Sequence, residues 1–98
     1  MDAVTLFAIL LHSGVPAEDA GKLVCIAKAE SQLNPKAINH TNTNKTKDYG
    51  LFQINQIWTK ACNMSVKDLL NVHSNIGCAI YIYNKKGINP WVTKTQCT

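Results

Sequence analysis

Two carboxyl groups in contrasting surroundings are the best candidates for acid–base chemistry in this sequence. One is Glu30, which extends an apolar helical stripe through Leu23 and Ala27. Burial on such a face disfavours the charged form and raises the pKa, as a general acid working near neutrality requires. The pattern alone fits a solvated Glu30 at a frayed helix end equally well. The only other glutamate, Glu18, falls in a predicted first helical turn, where the helix dipole stabilises a negative, solvated side chain.

Asp48 is the second candidate, and its surroundings are the opposite of those of Glu30. It follows residues 42–47, a polar segment of Asn, Thr and Lys that offers hydrogen-bond donors and positive charge to an ionised carboxylate. Taken alone, Asp48 is typical of an ordinary loop aspartate. Together, two carboxyl groups whose surroundings separate their pKa values form the pattern of one acid and one nucleophile or stabiliser.

The elements that must position Glu30 are two consecutive helices. Asp2 is a predicted N-cap, and apolar residues follow it at helical spacing up to Leu11. Residues 13–16 end this helix, and Pro16 opens a second helix that is expected to run to about Ala29. Glu30 is therefore predicted to lie at the end of a helix.

The elements around Asp48 are predicted to be turns and a short polar hairpin over residues 34–48. Residues 49–55 fit a strand or a turn, and their periodicity does not decide between them. Ser65 and Asp68 resemble a capping box before a short helix.

A longer helix is predicted from Ser74 to about Lys86, stopped by Gly87. The sequence contains no repeat or linker that would divide it. It therefore predicts a single α+β domain over residues 1–98, mostly helical with a small β element.

The basic residues restrict the class of partner. The chain has 10 lysines, no arginine and 6 acidic residues, which gives a net charge of +4. The absence of arginine argues against nucleic acid, while the positive charge suits an anionic polymer or surface. The longest apolar run, residues 3–11, is far shorter than the ~20 residues of a membrane-spanning helix, so we expect no membrane insertion.

Four cysteines without a C-x-x-C pair favour two disulfides over a zinc site or four free thiols. Small domains with thin cores need such cross-links, and disulfides imply an oxidising, extracellular compartment. The spacing leaves all three pairings open.

Two motifs carry a specific resemblance to a known family. C-I-A-K-A-E-S runs from Cys25 to Ser31, and D-Y-G-L-F-Q-I-N runs from Asp48 to Asn55. With these motifs the chain resembles the c-type (animal-type) lysozymes from Cys25 onward. Shorter matches lie at residues 37–39, 62–63, 69–70, 75–79, 89–92 and 97.

The resemblance implies a lysozyme-like fold, in which a helical lobe faces a reduced β-hairpin region across a cleft. It also implies a muramidase that cleaves the β-1,4 bond between N-acetylmuramic acid and N-acetylglucosamine. Glu30 matches the family's general acid, and Asp48 matches the carboxylate that acts as nucleophile or stabiliser, with retention of configuration.

The resemblance also assigns substrate-binding positions. Trp91 would supply an apolar wall for Glu30, and Trp58 would stack on sugar faces. The backbone N–H of Asn55 and the carbonyl of Pro90 would hold an N-acetyl group. Three further residues are expected to orient Asp48 or touch the sugar: Asn39, Asn42 and Gln53.

The chain departs from the family in its cysteines and its β region. Common members carry four disulfides, and the two that remain here are implied to be Cys25–Cys97 and Cys62–Cys78. The β region is shortened, and Thr59 stands where a second aromatic residue is usual. Distal sugar subsites are therefore the part of the cleft most affected.

The leading hypothesis is a secreted, monomeric, antibacterial or digestive muramidase that acts on peptidoglycan or chitooligosaccharides and is drawn to anionic cell walls. Neither a cofactor nor a metal is expected, because the histidines are isolated and only Asp68 is acidic where the family's calcium-binding branch clusters aspartates. A non-catalytic glycan-binding or signalling protein with the same fold is the alternative. A generic cationic membrane-active protein is the third hypothesis.

Overall fold

A computed structural model of the chain describes residues 1–40 and 43–98. Within these residues the chain forms α-helices, short antiparallel strands and two 3₁₀ helices. The helices are α1 (Ala3–His12), α2 (Ala17–Ser31), α3 (Val66–Leu69) and α4 (Val72–Lys86), the strands are β1 (Ile38–Asn39), β2 (Asp48–Tyr49) and β3 (Ile54–Asn55), and the 3₁₀ helices are Gln56–Trp58 and Val92–Gln96.

The N-terminal helices begin where the sequence predicts. The Asp2 carboxylate caps α1 by accepting from the backbone N–H of Thr5 at 2.8 Å. Helix α2 follows Pro16 and runs to Ser31, two residues beyond the predicted end at Ala29. It ends at Gln32, which adopts a left-handed conformation with φ 55° and donates to the Lys28 carbonyl at 2.8 Å. Glu30 therefore lies inside the last helical turn and not at a frayed end.

The C-terminal helices are also capped by side chains. Ser65 and Asp68 form the predicted capping box at the start of α3. Helix α4 begins at Val72, two residues before the predicted Ser74, because the Asn71 side chain accepts from two backbone N–H groups of the first turn. It ends at Gly87 as predicted.

The small sheet is antiparallel with the order β1-β2-β3. Asn39 pairs with Asp48, which pairs in turn with Asn55. Residues 49–55, which the sequence left undecided, are strand at both ends and a turn between them. The sheet therefore places Asp48 on its central strand, between two asparagines.

Asn75 connects the helical part of the molecule to this sheet. The side chain is fully buried on α4. Its amide nitrogen donates to the carbonyls of Tyr49 and Leu69 at 2.9 and 2.8 Å, and its oxygen accepts from the N–H of Phe52 at 2.9 Å. The approach leaves no room for a side chain at Gly50, where a Cβ would lie 2.3 Å from the Leu69 carbonyl oxygen and 2.4 Å from the amide nitrogen of Asn75.

Two disulfides, Cys25–Cys97 and Cys62–Cys78, join distant segments, and this is the pairing that the family resemblance implies. The first bonds the middle of α2 to the end of the second 3₁₀ helix, and the second bonds the segment before α3 to α4. Among the described residues, the helices are too short or too polar to cross a membrane. The α+β, mostly helical fold class is confirmed.

Candidate active site

A cleft of about 120 Å³ lies between the helices and the small sheet. The cleft brings together seven of the residues singled out in the sequence and three apolar ones that were not: Glu30, Asp48, Gln53, Asn55, Trp58, Pro90 and Trp91, with Ile54, Ile82 and Val92.

Glu30 enters the cleft from the last turn of α2 and is half-buried. Its pKa is raised above the usual value, mainly because burial disfavours the charged carboxylate, and the negative charge of Asp48 adds to the rise. The Thr93 hydroxyl opposes this by donating to Oε2 of Glu30 at 3.0 Å. Glu30 therefore has the electrostatic setting of a carboxyl group that retains its proton to higher pH than a solvated glutamate.

Trp91 forms an apolar wall of the cleft beside Glu30. Its indole N–H donates to the Phe52 carbonyl at 2.9 Å, and its ring lies 5.9 Å from the Phe52 ring, centroid to centroid. Only 5% of the residue is exposed. The hydrogen bond therefore holds the ring against the turn between β2 and β3.

Asp48 is held by its neighbour across the sheet. Asn55 donates from its side-chain nitrogen to Oδ1 of Asp48 at 3.0 Å and to the Thr46 hydroxyl oxygen at 2.7 Å. The Asn55 side-chain oxygen accepts from the N–H of Ile57 at 3.0 Å. Because both ends of this amide are engaged, it orients the Asp48 carboxylate.

Gln53 secures the turn between β2 and β3. It adopts a left-handed conformation with φ 51°, and its side-chain nitrogen donates to the carbonyls of Ala37 and Gly50, each at 3.0 Å. The side chain is nearly buried while lining the cleft. Its amide nitrogen therefore positions the backbone beside Asp48.

Ser31 connects the two sides of the site directly. Its hydroxyl donates to the Leu51 carbonyl at 2.6 Å, so the residue after Glu30 is tied to the turn that follows Asp48. The sequence contains Ser31 inside a motif, but its bonding partner is 20 residues away and no local pattern shows it.

The remaining predicted residues are distributed along the cleft and outside it. Trp58 is half-buried and Pro90 exposed, and both line the cleft. Asn39 pairs with Asp48 in the sheet but is not among the residues that line the cleft. The prediction for Asn42 falls outside the described residues.

Thr93 and Val92 are cleft-side residues that the sequence analysis missed. Thr93 contacts Glu30 from the second 3₁₀ helix, 63 positions along the chain. Val92 lines the cleft while 82% exposed. They are the first and second residues after Trp91, and this closeness in the sequence is the one signal that could have identified them. Within residues 1–40 and 43–98, no three His, Cys, Asp or Glu side chains group closely enough to hold a metal ion.

Comparison with known proteins gives a consistent result. A family described as "Lysozyme like domain" matches residues 8–93. The chain is 31% identical over its full length to lysozyme P of Drosophila melanogaster, covering 78% of that protein. It is 32% identical over 87 residues to lysozyme C of Bos taurus, covering 76% of the chain and 59% of the bovine protein. The chain thus spans about three fifths of the length of the bovine relative.

Solved structures agree with the sequence relatives. The crystal structure of lysozyme from Equus asinus superposes with a TM-score of 0.83 at 29% identity, covering 98% of this chain and 86% of that one. Canine milk lysozyme superposes with a TM-score of 0.84 at 28% identity, with the same two coverages. The fold and the sequence therefore point to the same group of proteins.

Proposed function

This chain belongs to the lysozyme family, and we propose that it hydrolyses the β-1,4 bond between N-acetylmuramic acid and N-acetylglucosamine in bacterial peptidoglycan. One observation carries the proposal: Glu30 and Asp48 line the same cleft in unlike surroundings, and the charge of Asp48 helps to raise the pKa of Glu30. A raised pKa suits a group that must deliver a proton near neutrality.

In the first step Glu30 protonates the glycosidic oxygen as the bond to the leaving sugar breaks. Burial beside Trp91 supports this role because it raises the pKa of the carboxyl group above its usual value. Loss of the leaving group gives the remaining sugar oxocarbenium character.

Asp48 meets that positive charge from the other side of the cleft. It acts as nucleophile or stabiliser at the anomeric carbon, and Asn55 holds its carboxylate in place. Glu30, now ionised, then removes a proton from water as that water attacks the same carbon, and the Asp48 carboxylate is released. Water attacks from the side that the leaving sugar vacated, so the configuration at this carbon is retained.

The cleft also offers the contacts that a sugar chain needs. Trp58 stacks on a sugar face, and the backbone N–H of Asn55 with the Pro90 carbonyl holds an N-acetyl group. Pro90 can serve because a proline lacks only the N–H and keeps its carbonyl. We infer chitooligosaccharides as a second substrate class, since they carry the same N-acetyl groups.

Charge and cross-links suggest where the protein acts. A net charge of +4 favours binding to an anionic cell wall, and two disulfides favour a secreted, extracellular protein with an antibacterial or digestive use. We propose that it acts as a monomer.

The test is the clearing of a suspension of bacterial walls by the wild type, Glu30→Gln and Glu18→Gln. Glu18 is the matched control because it is exposed on the same helix, where its Oε1 lies 3.6 Å from Nζ of Lys22. Wild type and Glu18→Gln should clear the walls alike, and Glu30→Gln should lose the activity by at least roughly 100-fold.

Two outcomes would refute the enzymatic assignment. No clearing by the wild type across pH and salt would indicate a non-catalytic glycan-binding or signalling protein. Killing of live bacteria that survives Glu30→Gln would indicate a cationic, membrane-active protein.

A further inference from the structure

We propose that Thr93 is a positioning residue that acts through Glu30, holding Oε2 of the carboxyl group so that Oε1 carries the transferable proton. The inference rests on the proposed function, because it concerns the acid of that reaction. It starts from one contact, the hydrogen bond of 3.0 Å from the Thr93 hydroxyl to Oε2 of Glu30.

The Thr93 hydroxyl is held where it can do this. Trp91, two residues earlier, is fixed by its indole hydrogen bond to the Phe52 carbonyl. Cys97, four residues later, is bonded to Cys25 on α2, five residues before Glu30. The segment that carries the donor is therefore tied on one side to the wall of the cleft and on the other to the helix that carries the acceptor.

The bond distinguishes the two oxygens of the carboxyl group. A carboxylic acid carries its proton on one oxygen, and the other oxygen accepts hydrogen bonds. Because the Thr93 hydroxyl donates to Oε2, the proton of neutral Glu30 resides on Oε1. Proton delivery then starts from a single oxygen with a fixed direction, and orientation of this kind contributes to the rate.

The same bond moderates the effect of burial. Burial and Asp48 favour the protonated form of Glu30, whereas the hydroxyl and the backbone N–H of Thr93 favour the ionised form. Glu30 must be an acid in the first step and a base in the second. It therefore needs contacts that favour its protonated form and contacts that favour its ionised form. Thr93 keeps the ionised form accessible for the second step.

The direct test is a pH titration of the Glu30 carboxyl carbon by NMR in protein labelled with ¹³C only at glutamate. Since the chain has two glutamates, the spectrum contains two side-chain carboxyl signals, and Glu30→Gln identifies which is which. Thr93→Val should move the titration midpoint of Glu30 to higher pH, because it removes the hydroxyl and keeps the shape. Thr93→Ser, which keeps the hydroxyl, should leave the midpoint at the wild-type value. The Glu18 signal is the internal control.

Kinetics on a soluble chitooligosaccharide then connect the bond to the reaction. The alkaline limb of kcat/KM reports the loss of the proton from Glu30, so it should move to higher pH in Thr93→Val and not in Thr93→Ser. On the plateau kcat should fall roughly tenfold in Thr93→Val, with KM little changed, because binding residues are untouched. Thr93→Ala replaces Thr93→Val if the latter does not fold.

Two results would overturn the assignment of Thr93. One is an NMR titration in which the midpoint of Glu30 is the same in wild type and in Thr93→Val. The other is a Thr93→Val variant in which that midpoint moves but the alkaline limb of kcat/KM does not. The NMR titration needs no substrate, so it tests Thr93 even if the wild type proves inactive and the proposed function fails.

Discussion

Asn75 should be the polar side chain whose loss damages the fold most, because it satisfies three buried backbone groups at once. It donates to the carbonyls of Tyr49 and Leu69 and accepts from the N–H of Phe52. In Asn75→Ala none of these groups has its partner, and the fully buried site gives water little access.

The size of the effect follows from that count. Each hydrogen bond contributes about 1 kcal/mol net, and a buried group left without a partner costs about 1–3 kcal/mol. For three such groups the free energy of unfolding should fall by at least roughly 3 kcal/mol. A domain of this size has about 5–15 kcal/mol in total, so the variant should be marginally stable.

The measurement is urea unfolding followed by tryptophan fluorescence and circular dichroism, with Asn84→Ala as the matched control. Asn84 is the same residue type on the same helix but is exposed, so its loss should change stability by less than about 0.5 kcal/mol. A loss below about 1 kcal/mol for Asn75→Ala would refute the claim that this side chain joins α4 to the sheet.

Three further predictions concern stability. Gly50→Ala should be strongly destabilising, because φ is +77° and an added Cβ would clash. Gly77→Ala, at an open helical site, should raise the free energy of unfolding by about 1 kcal/mol. The midpoints of urea unfolding compare the two variants. The raised pKa of Glu30 means that the native protein binds this proton more tightly than the unfolded chain, so stability falls as pH rises through that pKa. Glu30→Gln should therefore have a higher Tm than wild type at neutral pH and no such advantage in acid; an advantage unchanged in acid would contradict this. Replacing Cys62 and Cys78 by Ala opens a loop with a sequence separation of 16 and should cost roughly 3 kcal/mol in the chain-entropy model, measured by urea unfolding.

One prediction concerns ionic strength. The positive net charge should draw the protein to anionic walls, and salt screens that attraction, so lysis of walls should weaken as salt rises while cleavage of a neutral oligosaccharide should not. Wall lysis that is the same at low and physiological salt would contradict an electrostatic contribution.

Local signals made most of the fold predictable. Asp2, the Ser65–Asp68 pair and Gly87 mark helix ends through side-chain caps or backbone freedom, and the structure has each of them in that role. We predicted that helix α2 ends at about Ala29, but Gln32 closes it later in a left-handed conformation. Adoption of that conformation by a residue other than Gly or Asn leaves no clear sequence signal.

The site was predictable to the extent that its residues lie within motifs. Glu30 could be placed on a helix from periodicity, yet the cleft that it lines is also built by Trp91, which lies 61 positions later in the chain. The bonds of Thr93 to Glu30 and of Asn75 to the turn after Asp48 join segments far apart in sequence. Such contacts follow from tertiary packing, and no local pattern contains them.

The most direct measurement of the central claim is the chemical identity of the fragments that the wild-type protein releases from purified peptidoglycan, determined by mass spectrometry. Hydrolysis by Glu30 and Asp48 predicts fragments that end in a reducing N-acetylmuramic acid, with none from Glu30→Gln. Fragments that end in an intramolecular anhydro ring, or no fragments at all from the wild type, would contradict a two-carboxylate hydrolase.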